Sequence, residues 1–139
     1  MLIDIENMAE YEYCVGRGLN PLLNPMFNVD INLRVEIQRS LFGSITEHEK
    51  FFRWVWEHKP HHCEECLKPL HNYSAVYCSH ILTRGAHPEM AHDCKNINIL
   101  CFAHHSQWEN GNRKSMRIYE KNMRMIEKLT NEYLQLNHV

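Results

Sequence analysis

Two pairs of residues stand out for chemistry. Cys63-x₂-Cys66 and Cys101-x₂-His104 are tight turns in which a two-residue gap aims both side chains at one point. Thiolate and imidazole in this spacing are the donors of a tetrahedral Zn²⁺ site. A rival quartet of Cys63, Cys66, Cys78 and His80 fails on reach. Cys78 and His80 fall on one strand, about 6–7 Å apart, with no turn to bring them together. A finger of two cysteines and two histidines fails on spacing, because His80 and His87 are too far apart for the second pair. With all four positions filled by protein, the zinc is expected to be structural. His105, next to His104, is the alternative fourth ligand.

A second set lies between and after these turns. His80 ends a run rich in β-branched and aromatic residues, Asn96 opens a second run, and His105 and Glu109 stand four apart on a following helix. Imidazole titrates near neutral pH and can take a proton from water. A His and a carboxylate at i, i+4 share one helix face.

Eleven histidines and six cysteines in 139 residues are the compositional anomaly. The N-terminal stretch is acidic, with no Lys or Arg before Arg17, so it does not read as a secretory or transit signal. A disulfide framework is therefore the weaker reading and metal the stronger, and cytoplasmic residence is expected. No apolar run approaches the roughly 20 residues of a membrane span. The formal charge of −2 does not argue for a nucleic-acid partner. Its distribution says more, since six basic residues from Arg113 to Lys128 face only Glu120 and Glu127. This stripe reads either as a solvated helix face or as a grip on phosphates.

The elements that must position these groups follow from pattern. Residues 1–30 read as an irregular arm: Met1 to Tyr13 has the pattern of a short helix, and Gly16, Gly18, Pro21 and Pro25 break anything after it. Residues 31–60 read as helical support. A first helix spans Asn32 to Leu41. A second opens on a capping box, Thr46 with Glu49, and carries Phe51, Phe52, Val55 and Trp56 on its core face. Residues 61–111 form the cysteine- and histidine-bearing module: a knuckle, a strand from Ala75 to Leu82, a polar loop, a strand from Ile97 to Cys101, and a helix from Phe102 to Asn110. Residues 112–139 give a long amphipathic helix from Arg113 to Leu136. The fold class is α+β. Cys14, Cys78, Cys94 and Trp108 read as core, and His87 and His92 as solvent or DNA contacts.

Ser79-His80-Ile81, Asp93-x₂-Asn96 and Leu100-Cys101-x₂-His104-His105, in that order between two zinc knuckles, resemble the HNH nuclease signature. The resemblance covers residues 61–111. It implies a ββα-metal hairpin-plus-helix stapled by a structural zinc and wrapped by the flanking helices, acting as a metal-dependent DNA endonuclease. It implies His80 as general base, Asn96 as the residue that braces the loop, and His105 with Glu109 as ligands of a catalytic Mg²⁺ or Mn²⁺. Arg84, in the loop that also resembles the family, and Arg113, Lys114 and Arg117 are the expected DNA contacts. Ser79 stands where the family usually has a metal-ligating Asp or His. A hydroxyl there holds at most a metal-bound water, so the site would lean on His105, Glu109 and Asp93. The alternatives are a zinc module that binds DNA or protein without cutting, a structural zinc ribbon, and a metal-dependent RNase. Oligomeric state is open.

Overall fold

The computed structural model describes residues 2–44 and 46–136. Among the described residues, four short strands and five α-helices follow one another in the order β1 (Ile3–Ile5), α1 (Met8–Gly16), β2 (Phe27–Val29), α2 (Ile31–Phe42), α3 (His48–His58), β3 (Cys78–His80), β4 (Ile97–Ile99), α4 (Phe102–Asn110) and α5 (Tyr119–Leu134). The class is α+β, and no described helix is long and apolar enough to cross a membrane.

The N-terminal segment is more ordered than an irregular arm. β1 and β2 pair in parallel, with Ile3 opposite Phe27 and Ile5 opposite Val29. Asn7 caps α1 by accepting the Glu10 amide, which sets the start of that helix at Met8. Ile5, Leu22, Phe27 and Val29 reach the core. Met1, where the expected arm begins, lies outside the described residues.

α2 starts one residue earlier than the pattern predicts because Asp30 caps it, accepting the amides of Asn32 and Leu33. It ends at Gly43, whose φ of 72° suits glycine; a Cβ there would meet the Glu47 carboxylate at 2.5 Å. The capping box expected on α3 does not form. Thr46 bonds the Ser44 hydroxyl at 2.7 Å, and Glu49 takes Arg53 and the Tyr73 hydroxyl instead. The aromatic face is as expected: Phe51, Val55 and Trp56 are buried and Phe52 packs beside them.

β3 and β4 are antiparallel, with Ser79 opposite Asn98 and His80 opposite Ile97. Both are shorter than the expected runs. Ser74 accepts the Val76 amide and turns Ala75–Tyr77 into a 3₁₀ turn, while Leu82 leaves the ladder to bond the side chain of Asn96. α4 begins and ends where the pattern places it. The last helix does not start at Arg113: a 3₁₀ turn covers Arg113–Ser115 and α5 begins at Tyr119. Residues 137–139, the end of the expected helical segment, lie outside the described residues.

A buried ion network ties α2 and α5 to the loop between β3 and β4. Arg34 on α2 is fully buried; its Nε and Nη2 donate to Asp93, and its Nη1 and Nη2 donate to Glu132 on α5. The Tyr133 hydroxyl adds a 2.8 Å bond to the same Asp93 oxygen.

Candidate functional site

The knuckle at Cys63–Cys66 is a tight turn. The Leu67 amide bonds the Cys63 carbonyl at 2.8 Å, and Leu67 takes a left-handed φ of 65°. Cys101 precedes α4 and His104 lies in its first turn. The four ligand atoms of Cys63, Cys66, Cys101 and His104 all lie within 4.8 Å of one another. Nδ1 of His104 is 3.2 Å from the Cys101 sulfur and 3.6 Å from the Cys63 sulfur. Around a tetrahedral Zn²⁺ with bonds of about 2.0–2.3 Å, neighbouring ligands lie about 3.5–3.8 Å apart. This cluster can therefore hold a metal ion such as zinc, with His104 rather than His105 as the fourth donor. Burial pushes the Cys63 thiol up, but the amides of Cys101, Cys66 and Glu65 and the His104 ring outweigh it and hold it at about 7.

The two residues between the cysteines anchor the knuckle. Glu64 accepts the Ile99 amide, the Asn98 side chain and Lys59, which joins the turn to β4. Glu65 accepts the amides of Arg117 and Ile118 at 2.8 and 2.9 Å, which fixes the entry to α5.

Beside this cluster a cleft of about 360 Å³ opens between β3, α4 and the loop after β3. His80, Arg84, His105, Glu109, Phe52 and Cys78 line it. His80 donates from Nε2 to the Ala91 carbonyl at 2.8 Å, so its proton is on Nε2 and Nδ1 carries the lone pair. Burial holds its pKa below the ordinary 6.5, the Ala91 bond opposes this, and the charge of Arg84 adds to the lowering.

Asn96 is fully buried. Its Oδ1 accepts the Leu82 amide at 2.8 Å, and its Nδ2 donates to the carbonyls of Leu82 and Met90 at 3.0 and 3.2 Å. Both ends of the loop between the strands are thereby held by one amide. His105 bonds the Val76 carbonyl through Nδ1, which leaves Nε2 facing Glu109 Oε1 at 2.9 Å. This i, i+4 contact places an imidazole nitrogen and a carboxylate oxygen together on the cleft wall.

Not every expected site residue comes to the cleft. Asp93 is buried in the Arg34 network and accepts the Lys95 amide, so it is no metal ligand. Ser79 is fully buried, and its hydroxyl has no partner among the described residues. Strand alternation carries it to the face opposite His80, and it does not line the cleft. Arg113 donates to the Trp108 carbonyl and stacks on the Trp108 ring at 4.4 Å, while Arg117 donates to the Glu64 carbonyl at 2.9 Å. These two guanidiniums brace the protein itself. Lys114 is exposed, away from the cleft walls.

His92 is no free surface contact either. It bonds His48 at 2.8 Å and stacks on Phe51, and burial with the nearby His48, His80 and Arg84 pushes its pKa down to about 4. His48 and Phe52, both on α3, are the parts of the site that sequence reasoning misses. Phe52 reads only as core in the helical pattern, and no local spacing links His48 to a loop 44 residues away. Compared with known proteins, the chain matches no family model, no curated protein and no solved structure.

Proposed function

We propose that this chain is a metal-dependent HNH endonuclease of the ββα-metal type that hydrolyses DNA phosphodiester bonds, with a structural zinc on Cys63, Cys66, Cys101 and His104. The observation that carries the reading is the convergence of His80, His105, Glu109 and Arg84 on one cleft beside that cluster. In this reading Nδ1 of His80 takes a proton from water, and the resulting hydroxide attacks phosphorus. The bond to the 3′ oxygen breaks and that oxygen takes a proton from solvent water, leaving 5′-phosphate and 3′-hydroxyl ends. His105 and Glu109 would hold a divalent cation, Mg²⁺ or Mn²⁺, which would supply Lewis-acid charge stabilisation. Arg84 adds positive charge where the phosphate sits, and Asn96 keeps the loop in register. Cytoplasmic residence, beside DNA, belongs to the same reading.

The burial of Ser79 favours one alternative. Without a ligand from that position, the protein alone offers two cation ligands, and a zinc module that binds DNA or a partner protein without cutting fits such a weakened site. Nicking of supercoiled plasmid by zinc-loaded protein, with Mg²⁺ or Mn²⁺ and with EDTA, beside a His80→Ala variant that retains zinc, separates the two. Metal-dependent nicking that vanishes in the variant is expected. Absence of nicking by the zinc-loaded wild type would overturn the nuclease and favour the binding module.

A further inference from the structure

The cleft has a support outside the strand–loop–strand–helix segment. Nδ1 of His48 lies 2.8 Å from Nε2 of His92, so one ring donates and the other accepts. His92 stacks on Phe51 with centroids 5.0 Å apart and meets Phe42 edge-on at 6.5 Å. His48 stacks on Phe52 at 6.3 Å, and the Phe52 ring in turn meets His80 at 5.7 Å. Three consecutive loop residues are thus each anchored. Met90 is held by Asn96 through its carbonyl, Ala91 meets His80 through its carbonyl, and His92 is held by His48 through its side chain.

The middle anchor depends on the third. The Ala91 carbonyl and the Cα of His92 belong to one rigid peptide plane. Fixing the His92 side chain therefore limits how far that plane can rotate, and the carbonyl in it accepts the proton of His80 Nε2. We propose that His48 and His92 are positioning residues for His80: their hydrogen bond fixes the Ala91–His92 peptide plane, whose carbonyl keeps His80 as the Nε2–H tautomer with Nδ1 as its lone-pair nitrogen. The functional meaning rests on the reading of His80 as the base, but the structural claim is testable without activity.

The test is two-bond ¹H–¹⁵N correlation NMR of the histidine rings in zinc-loaded protein, with plasmid nicking measured on the same samples. His48→Phe and His92→Phe keep a ring in place and remove the bond. The wild type is expected to show His80 as the Nε2–H tautomer, and both variants a mixture of tautomers. The nicking kcat is expected to fall about tenfold with KM unchanged. His48→Gln, whose amide can bond the His92 ring, is expected to restore both readouts. A His80 tautomer unchanged in both Phe variants would overturn the proposal. A tautomer that responds in a protein that does not nick would support the clamp and overturn the nuclease reading instead.

Discussion

Nε2 of His105 lies 2.9 Å from Oε1 of Glu109 while Nδ1 of the same ring is held by the Val76 carbonyl. The carbonyl fixes the ring's rotation, so Nε2 is aimed at the carboxylate. In the proposed function the two side chains are ligands of one cation. Glu109→Ala and His105→Ala are each expected to weaken Mn²⁺ binding by more than about 10–100-fold, the usual effect of removing only an outer-shell partner of a ligand. Titration followed by Mn²⁺ electron paramagnetic resonance reads this directly. Unchanged affinity in both variants would remove the pair from the cation site.

Asp93→Asn provides the contrasting case. Asp93 receives Arg34 and Tyr133 inside the core, so the variant is expected to lose stability and leave Mn²⁺ affinity alone. Arg34→Ala strands Asp93 as an unpaired buried charge and is expected to cost about 3–5 kcal/mol in urea unfolding. A loss below about 1 kcal/mol would show that water reaches the network.

Arg84 faces the cleft, whereas Arg113 packs on Trp108. Arg84→Ala is expected to weaken DNA binding and to lower the salt slope of the affinity by about one phosphate contact. Arg113→Ala is expected to lower the melting temperature more than it changes that slope. Fluorescence anisotropy across a salt series, beside thermal unfolding, distinguishes the two arginines.

Acid should destabilise the fold before its carboxylates titrate. His48, His80 and His92 all sit below the ordinary 6.5 in the folded protein, His92 at about 4. Between these values the unfolded chain binds more protons than the folded one, so stability is full above about pH 6.5 and falls as pH drops towards 4. His92→Phe should flatten the decline. The nicking rate should follow the neutral form of His80 and persist below pH 6.5, until its own lowered pKa is reached. Melting temperatures and initial rates measured from pH 4 to 8 check both statements.

Removal of the knuckle metal should unfold the module rather than merely silence it. The residues from Cys63 to His104 rely on four convergent side chains and on short strands of three residues each. Structural zinc in small modules contributes folding free energy directly. Cys101→Ser, or prolonged chelation, is expected to abolish the cooperative transition seen by circular dichroism. An intact transition in metal-free protein would show that the core alone suffices.

Local chemistry carried much of this protein's plan. The two-residue gaps in Cys63-x₂-Cys66 and Cys101-x₂-His104 sufficed to nominate the metal cluster, because the turn that converges each pair is set by its own few residues. The apolar spacing of Phe51, Val55 and Trp56 likewise sufficed to orient α3, since a helix repeats its faces every turn. The i, i+4 spacing of His105 and Glu109 put them together for the same reason.

Only the tertiary structure decided which polar residues serve the cleft and which serve the core. Asp93 and Ser79 look like site residues by position, yet Arg34, 59 positions away in sequence, claims the first, and the strand's alternation turns the second inward. β1 finds its parallel partner 24 residues on, with no local signal in either three-residue strand. His48 meets His92 only because α3 packs against the loop. Pairings of this kind depend on chain closure over long separations, and a single sequence records the residues that take part without recording the encounter.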